Sequence, residues 1–213
     1  EKFLKKSDMK VFQKDKIAHI AMLAYALITD SSHEFEEANV KFAQAKMLFV
    51  EALRKMDNTL VQYPDANFTM RMTYGQVLDY YPADAVHYDY VTTMEGLMEK
   101  EDATNPEFIV PAKLKELYEA KDYGQYADKD GKLIVCFLSN NDITGGNSGS
   151  PILNAEGHLI GLAFDGNWEA MSGDIAFEPE LQRTINVDAR YVLFVMDKFA
   201  GAQRLIDELT IVK

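Results

Sequence analysis

The sequence predicts an α+β protein of two parts, a helical part over residues 1–62 and a mostly β part over residues 63–213. In the first part, apolar residues recur every three or four positions, which is the period of one face of a helix. After "YPDAN" (63–67) the period changes to two, as in a strand whose side chains alternate between two faces. Short apolar runs separated by turn residues follow, and the chain closes with an amphipathic stretch.

Two antiparallel helices are the simplest arrangement for residues 8–60. The apolar rows that predict them are Ile17, Ile20, Leu23 and Leu27, and then Phe42, Ala45, Leu48, Phe49, Ala52, Leu53 and Met56. Between the rows lie Asp30, Ser31 and Ser32, which are of the types that commonly cap a helix. We therefore expect the second helix to begin directly after them.

In the β part, we expect short elements joined by turns such as "ADKDGK" (127–132). The predicted strands are 68–81, 133–138, 152–154, 158–164 and 190–197, and the predicted helices are 111–120 and 199–212. The single cysteine, Cys136, lies in an apolar run, so we expect a buried small hydrophobic residue there.

Charge and composition argue against several classes of protein. A net charge of -12 is unfavourable for a nucleic-acid partner. The longest apolar run, residues 17–28, is too short to cross a bilayer, so we expect no transmembrane segment.

Three short motifs do not predict a binding or modification site. "HEFEE" (33–37) lacks the second histidine of a zinc-protease helix, and "DKDG" (128–131) lacks the remaining ligands of a calcium loop. "NFT" (67–69) has the pattern of a glycosylation acceptor, which we attribute to chance. We expect no metal and no cofactor.

The segment "ITGGNSGSPILN" (143–154) predicts a nucleophile at Ser148. Acyl transfer requires the nucleophile on a tight turn whose backbone N–H groups converge on the developing oxyanion, and flanking glycines permit that turn. By the serine-protease template, Gly146 N–H and Ser148 N–H are the two expected donors. Because Pro151 and a strand follow, rather than a helix, the loop is not the elbow of an α/β-hydrolase. It instead matches the nucleophile hairpin in the second barrel of chymotrypsin-like proteases.

A longer stretch carries a family resemblance. "TGGNSGSPILNAEGHLIGLAFDGNWEAMSGDIAFEPELQRTINVDARYVLF" closely resembles the C-terminal part of the bacterial exopeptidase family that contains dipeptidyl peptidases 7 and 11. "FLSNNDITGGNSGSP", "YPDANFTMRMTYG" and "DKFAGAQRLIDEL" extend the resemblance to most of the chain from about residue 63. The family fold has two chymotrypsin-like barrels with a large helical domain inserted between them. The resemblance therefore implies that residues 1–62 end the insert and that residues 63–213 form the second, C-terminal barrel with its closing helix.

The base that would activate Ser148 is not evident in the sequence. The four histidines, His19, His33, His87 and His158, are each expected to be structural or solvated. The resemblance places the catalytic His and Asp in an N-terminal barrel outside this chain. We therefore expect a C-terminal fragment that is inactive alone and that exposes the apolar surface which the missing barrel would cover.

The resemblance also implies substrate-binding residues in "AFDGNW" (163–168), which follows the nucleophile hairpin. Asp165 is expected to anchor the substrate N-terminus, although a plain turn Asp beside Gly is the alternative. Gly166 stands where acidic-specific relatives of the dipeptidyl peptidase 11 type carry an arginine, so apolar or aromatic side chains should be preferred. The resemblance is therefore closer to the dipeptidyl peptidase 7 type. Phe164 is expected to line the same pocket, and Trp168 to pack in the core. Asn147 is uncharged, so activation through a salt bridge to a new N-terminus, as in trypsin, is not expected.

The sequence thus favours a serine exopeptidase that removes dipeptides from peptide N-termini. Two alternatives stay open: a glutamyl endopeptidase, whose nucleophile loop is similar, and a non-catalytic domain that binds peptides. By resemblance alone, we expect a periplasmic or cell-surface location in a Gram-negative bacterium and a homodimer of the full-length enzyme.

Overall fold

The computed structural model describes residues 14–57, 69–173 and 177–212. The chain divides into two compact units, Glu1–Gln62 and Tyr63–Lys213. That the first unit belongs to an inserted helical domain stays a prediction.

The first unit contains helices α1 (Lys16–Glu34) and α2 (Glu36–Met56). Helix α1 is capped by Asp15, whose side chain accepts hydrogen bonds from the N–H groups of Ile17 and Ala18, each at 2.9 Å. The predicted cap at residues 30–32 is wrong, because α1 continues through Glu34 and the break falls at Phe35. Two glutamates in the first turn of α2 favour a start there by interacting with the helix dipole.

The apolar rows of both helices are exposed. No described side chain of α2 is buried, and Ile20, Leu23 and Phe42 are more than half exposed. Tertiary packing usually stabilises a helix through its apolar face. Within the part of the chain that the structure describes, these faces have no such cover.

The second unit is built on a five-stranded antiparallel sheet, whose strands are β3 (Val91–Thr93), β4 (Ile134–Ser139), β5 (Pro151–Leu153), β6 (Leu159–Gly166) and β7 (Thr184–Asp188). The strands lie in the order β3-β4-β7-β6-β5. A separate hairpin pairs β1 (Tyr80–Ala83) with β2 (Val86–Tyr88). The described strands leave edges at β3 and β5, so they form an open sheet and not the closed barrel that was expected.

Helices cover part of this sheet. Between β3 and β4 lie α3 (Met94–Glu99) and α4 (Ala112–Glu119), which confirms the helix predicted at 111–120. After β7 come α5 (Ala189–Phe194), a π-helical turn (Val195–Phe199) and α6 (Gln203–Asp207). Three 3-10 turns lie in the described part of the unit: Pro106–Phe108, Gly124–Tyr126 and Trp168–Ser172. The buried core is Met94, Val110, Leu114, Tyr123, Tyr126, Leu133 and Phe194.

The strand predicted at residues 190–197 is wrong, because this segment is helical. The Asp188 side chain accepts a hydrogen bond from Arg190 N–H at 2.8 Å and so caps α5. Phe194 is fully buried. A short apolar run can be a buried helix or a buried strand, and its period alone does not separate the two. The closing helix is also shorter than expected and covers only Gln203–Asp207.

The strand predicted at residues 68–81 is wrong over most of its length. Residues 69–79 contain only an isolated bridge, from Val77 to Ser139, before β1 begins. The alternation that predicted the strand is nevertheless present in the exposure of the side chains. Met70 and Met72 are fully or largely exposed, whereas Arg71 and Thr73 are half-buried. Arg71 and Thr73 therefore face the protein, and the two methionines face away from it.

Candidate active site

Ser148 lies on a tight turn between two glycines in the left-handed backbone region. Gly146 has φ 104° and Gly149 has φ 83°, and residues other than glycine rarely adopt such backbone angles. The Ser148 side chain is exposed. The backbone conformation therefore favours glycine at both positions, as the sequence predicts.

Hydrogen bonds fix the C-terminal half of this loop to strand β6. Gly149 N–H donates to Ala163 O at 2.7 Å, and Ala163 N–H donates back to Ser150 O at 2.9 Å. Within the loop, Asn147 N–H donates to Thr144 O at 3.2 Å and Ser150 N–H donates to Asn147 O at 2.9 Å. These bonds place Ser148 beside β6.

The two predicted oxyanion donors, Gly146 N–H and Ser148 N–H, lie on exposed residues. Among the residues that the structure describes, neither Gly146 N–H nor Ser148 N–H donates a hydrogen bond to another group. Exposed N–H groups beside a serine hydroxyl are available to a substrate oxygen, which is one requirement for stabilising a tetrahedral intermediate.

The Ser148 hydroxyl contacts no base within the described residues. Its one hydrogen bond there goes to Phe164 O, at 3.4 Å. His87 instead pairs with Asp79, with Nε2 and Oδ2 2.7 Å apart, and stacks on the Tyr81 ring. His19 and His158 are exposed, and the side chain of His33 lies outside the described part. A serine hydroxyl without a base is a weak nucleophile at neutral pH.

A β-bulge on β6 brings Phe164 next to the nucleophile. Ala163 pairs with Asn186 and Asp165 with Ile185, so Phe164 has no partner on β7. Bulges of this kind redirect side chains and are frequent beside active sites. Here the bulge leaves the Phe164 carbonyl free to accept from Ser148, and the Phe164 side chain is 44% exposed.

The Asp165 carboxylate is exposed and bonds locally, since Oδ1 accepts from Gly166 N–H at 2.8 Å. This contact is that of a turn Asp, and it leaves the second carboxylate oxygen available. Gly166 is half-buried, and a Cβ atom added there would lie 3.0 Å from the Ala170 Cβ. A side chain larger than glycine at this position would therefore meet Ala170.

A buried polar network that the sequence did not predict holds the end of β6. Arg183 is 5% exposed, and its guanidinium donates to the carbonyl oxygens of Asp79, at 2.7 and 3.2 Å, and of Pro179, at 2.8 Å. Burial lowers the pKa of this guanidinium. Asn167 pairs with the Arg183 backbone in both directions and donates to Glu169 Oε2 at 2.9 Å. The signal in the sequence was a lone arginine between apolar strands.

Two smaller expectations are wrong. Trp168 does not pack in the core, because 81% of its surface is exposed. Cys136 is half-buried rather than buried, as are Val135 and Leu138 on the same strand. Burial raises the pKa of the Cys136 thiol. Within the described ranges, no helix is long and apolar enough to cross a membrane, and no group of three or more potential metal ligands is present.

Comparison with known proteins identifies the family. Residues 1–211 match the family described as Peptidase S46, and the chain therefore belongs to the peptidase S46 family. It is 54% identical over 212 residues to a protein of Phocaeicola vulgatus named dipeptidyl-peptidase 7. It is also 53% identical over 169 residues to an Asp/Glu-specific dipeptidyl-peptidase of Porphyromonas gingivalis.

Solved structures of the family agree with the fold. The crystal structure of Porphyromonas endodontalis DPP11 in complex with substrate matches 97% of this chain with a TM-score of 0.83 and 45% identity. The match to the Phocaeicola vulgatus protein includes 100% of this chain and 29% of that protein. The match to the Porphyromonas gingivalis protein includes 79% of this chain and 24% of that protein, and the match to DPP11 includes 30% of the DPP11 chain. It thus spans less than a third of the length of these relatives.

Proposed function

We propose that this chain supplies the nucleophile and the substrate-binding segment of a serine dipeptidyl peptidase with a two-barrel chymotrypsin-like fold. The observation that carries the proposal is the exposed Ser148 on a glycine turn, beside two N–H groups that bond to no other described group. The names of the relatives, all dipeptidyl-peptidases, support the reaction class.

In the proposed reaction, Ser148 Oγ attacks the carbonyl carbon that follows the second residue of a peptide. Its proton passes to a histidine outside this chain, and the resulting oxyanion accepts hydrogen bonds from Gly146 N–H and Ser148 N–H. The histidine returns the proton to the leaving amine as the C–N bond breaks. A water molecule then hydrolyses the acyl-enzyme and releases the dipeptide.

Removal of two residues at a time requires recognition of the free amino terminus. Asp165 is exposed at the end of β6, just past the Phe164 carbonyl that contacts Ser148, and its second oxygen is available to a cation. A peptide ammonium is such a cation. This arrangement favours an exopeptidase over an endopeptidase.

The side-chain preference is proposed from Gly166. Sequence identity alone does not decide this preference. The relative named dipeptidyl-peptidase 7 is 54% identical to the chain, and the relative named Asp/Glu-specific dipeptidyl-peptidase is 53% identical. Glycine brings no positive charge to the pocket, and the adjacent Phe164 side chain is 44% exposed. We therefore propose a preference for apolar or aromatic residues at the second position.

Several large apolar side chains of the second unit are exposed and could be covered by a part of the enzyme outside this chain. Met70 is 100% exposed, Met72 80% and Trp168 81%, all in the unit that carries Ser148. We propose that a barrel carrying the catalytic His and Asp packs on this unit. A periplasmic or cell-surface location and a homodimer stay predictions that rest on the resemblance.

Covalent labelling tests the proposed function. A fluorophosphonate should react with Ser148 in the full-length protein and not in the isolated 213-residue chain, because only the former would contain a base. Hydrolysis of a free dipeptidyl reporter should follow the same pattern. Robust hydrolysis by the isolated chain would contradict the division of the active site, and an unlabelled Ser148 in the full-length protein would indicate a binding domain.

A further inference from the structure

We infer that Arg71 is a positioning residue that holds the nucleophile loop in its active conformation through Asn147. The inference rests on the proposed function, because it assigns a role in forming the oxyanion site. Arg71 lies 77 positions before Ser148 in the chain, in the segment whose strand prediction was wrong.

The contact joins Arg71 to the residue immediately before the nucleophile. Arg71 Nη2 donates a hydrogen bond to Asn147 Oδ1, and the same oxygen accepts from Thr144 N–H at 3.1 Å. Both Arg71 and Asn147 are half-buried. The Asn147 side chain therefore joins the start of the loop to the Arg71 guanidinium, and the residues on either side of Asn147, Gly146 and Ser148, carry the two proposed oxyanion donors.

The segment that carries Arg71 is itself attached to the root of the loop. Gln76 N–H donates to Asn140 Oδ1 at 2.7 Å, and Asn140 N–H donates back to Gln76 O at 3.0 Å. Asn141 Nδ2 reaches Thr73 Oγ1 at 3.3 Å. Segment 71–76 thus runs beside residues 140–147 and contacts them at both ends.

Close packing fixes the path of this segment. A Cβ atom added at Gly75 would lie 2.4 Å from Asn140 Oδ1 and 2.9 Å from Asn141 N, so only glycine fits there without displacement. This close approach and the hydrogen bonds to Asn140 and Asn141 hold the segment against the loop, so Arg71 stays within reach of Asn147. The arginine is consequently pre-organised for its contact.

Arginine suits this role because its guanidinium is always charged and presents several donors in one plane. In trypsin, a carboxylate at the position of Asn147 is held by a new N-terminus that appears on cleavage. Here a neutral amide is held by a cation from the same chain. The loop conformation should therefore need no processing at a distant N-terminus and should not depend on the ionisation of an amino group.

The test uses the full-length enzyme and steady-state kinetics on a dipeptidyl substrate. Arg71→Met should lower kcat by about 10- to 100-fold, at or somewhat below the usual cost of losing one oxyanion donor, with KM changed by about twofold or less. Fluorophosphonate labelling of Ser148 should slow by a similar factor. Free guanidinium should partly restore the activity of Arg71→Ala, which a change confined to folding would not explain. Arg204→Met, at a side chain that is 85% exposed, is the matched control and should behave as the wild type.

A double-mutant cycle makes the result decisive if single variants lose stability. Asn147→Ala should reduce kcat about as much as Arg71→Met, and the double variant should be no worse than either, since both remove one interaction. Losses that multiply in the double variant, or an Arg71→Met enzyme with kcat within twofold of the wild type, would overturn the inference. Retained activity in Ser148→Ala would instead refute the proposed function, so the two failures are distinguishable.

Discussion

The hydroxyl of Ser148 lies 3.4 Å from the carbonyl oxygen of Phe164, so the proposed nucleophile and the proposed specificity segment are in direct contact. The contact exists because β6 bulges at Phe164, between Ala163 and Asp165. Changes in residues 164–166 should therefore affect kcat as well as substrate binding.

Replacing Ser148 by alanine in the full-length enzyme should reduce dipeptidyl peptidase activity by at least about 1,000-fold, because no acyl-enzyme can form. Ser150→Ala is the matched control. Ser150 is bound to the rest of the protein through its backbone, by bonds to Asn147 and Ala163, so loss of its hydroxyl should leave kcat nearly unchanged. Equal losses in the two variants would argue against Ser148 as the nucleophile.

Asp165→Asn should weaken cleavage of peptides with a free N-terminus, since a neutral amide attracts an ammonium less than a carboxylate does. We expect a fall in kcat/KM of about 10- to 100-fold, corresponding to roughly 1.4 to 2.8 kcal/mol. The Oδ1 contact with Gly166 N–H can be kept by asparagine, so the turn should survive. If peptides with blocked N-termini were cleaved as well as free ones by the wild type, the anchoring role would be wrong.

Gly166→Arg should shift the preference at the second residue from apolar or aromatic towards Asp and Glu, because it introduces a cation into the pocket. The new Cβ would lie 3.0 Å from the Ala170 Cβ, so some adjustment is needed. Adding Ala170→Gly removes that Cβ, so the double variant should accommodate the arginine with less displacement. Comparing kcat/KM for matched substrates that differ only at the second residue measures the shift, and an unchanged ratio in both variants would contradict the assignment.

Arg183→Met should destabilise the second unit, because it leaves the carbonyl oxygens of Asp79 and Pro179 without their donor. Losing hydrogen bonds from a charged donor costs about 1.5 to 3 kcal/mol, so the thermal midpoint should fall by several degrees. The exposed Arg204 again provides the control, since Arg204→Met should leave the midpoint within about one degree. A midpoint unchanged in Arg183→Met would show that these carbonyls find other donors.

Tyr123 should make stability depend on pH in the alkaline range. Burial raises the pKa of its hydroxyl to about 12, and the side chain is 3% exposed. In the unfolded chain the pKa is about 10, so from pH 10 to 12 the unfolded state loses the proton more readily than the folded state. Stability from this group is therefore complete below pH 10 and is lost as the pH rises towards 12. Chemical denaturation of Tyr123→Phe across this range should show a shallower decline than the wild type, and parallel curves would contradict the assignment.

The local elements that the sequence predicted correctly have strong local signals. The serine turn needs glycine on both sides, and the structure gives both Gly146 and Gly149 positive φ angles. The helix at Ala112–Glu119 and strand β6 followed from apolar period and turn residues. Signals of this kind depend on neighbours within about ten residues, and a sequence displays them directly.

The segments that the sequence predicted wrongly have signals that depend on distant partners. Residues 190–197 are apolar enough for either a strand or a buried helix, and the Asp188 cap and the burial of Phe194 select the helix. Residues 69–79 alternate like a strand, yet β4 pairs with β3 and β7, and only Val77 bridges to it. Trp168 suits a core by type but lies exposed, because β6 ends in a polar network.

The sequence by itself determined the family, the glycine turn and the nucleophile candidate, because these follow from residue types at fixed short spacings. Tertiary structure alone decided what surrounds Ser148: the Phe164 carbonyl on the bulge of β6, and the Arg71 guanidinium on Asn147. Contacts between residues 16 and 76 positions apart depend on how strands and loops are arranged in space, and that arrangement leaves no periodic trace in the chain.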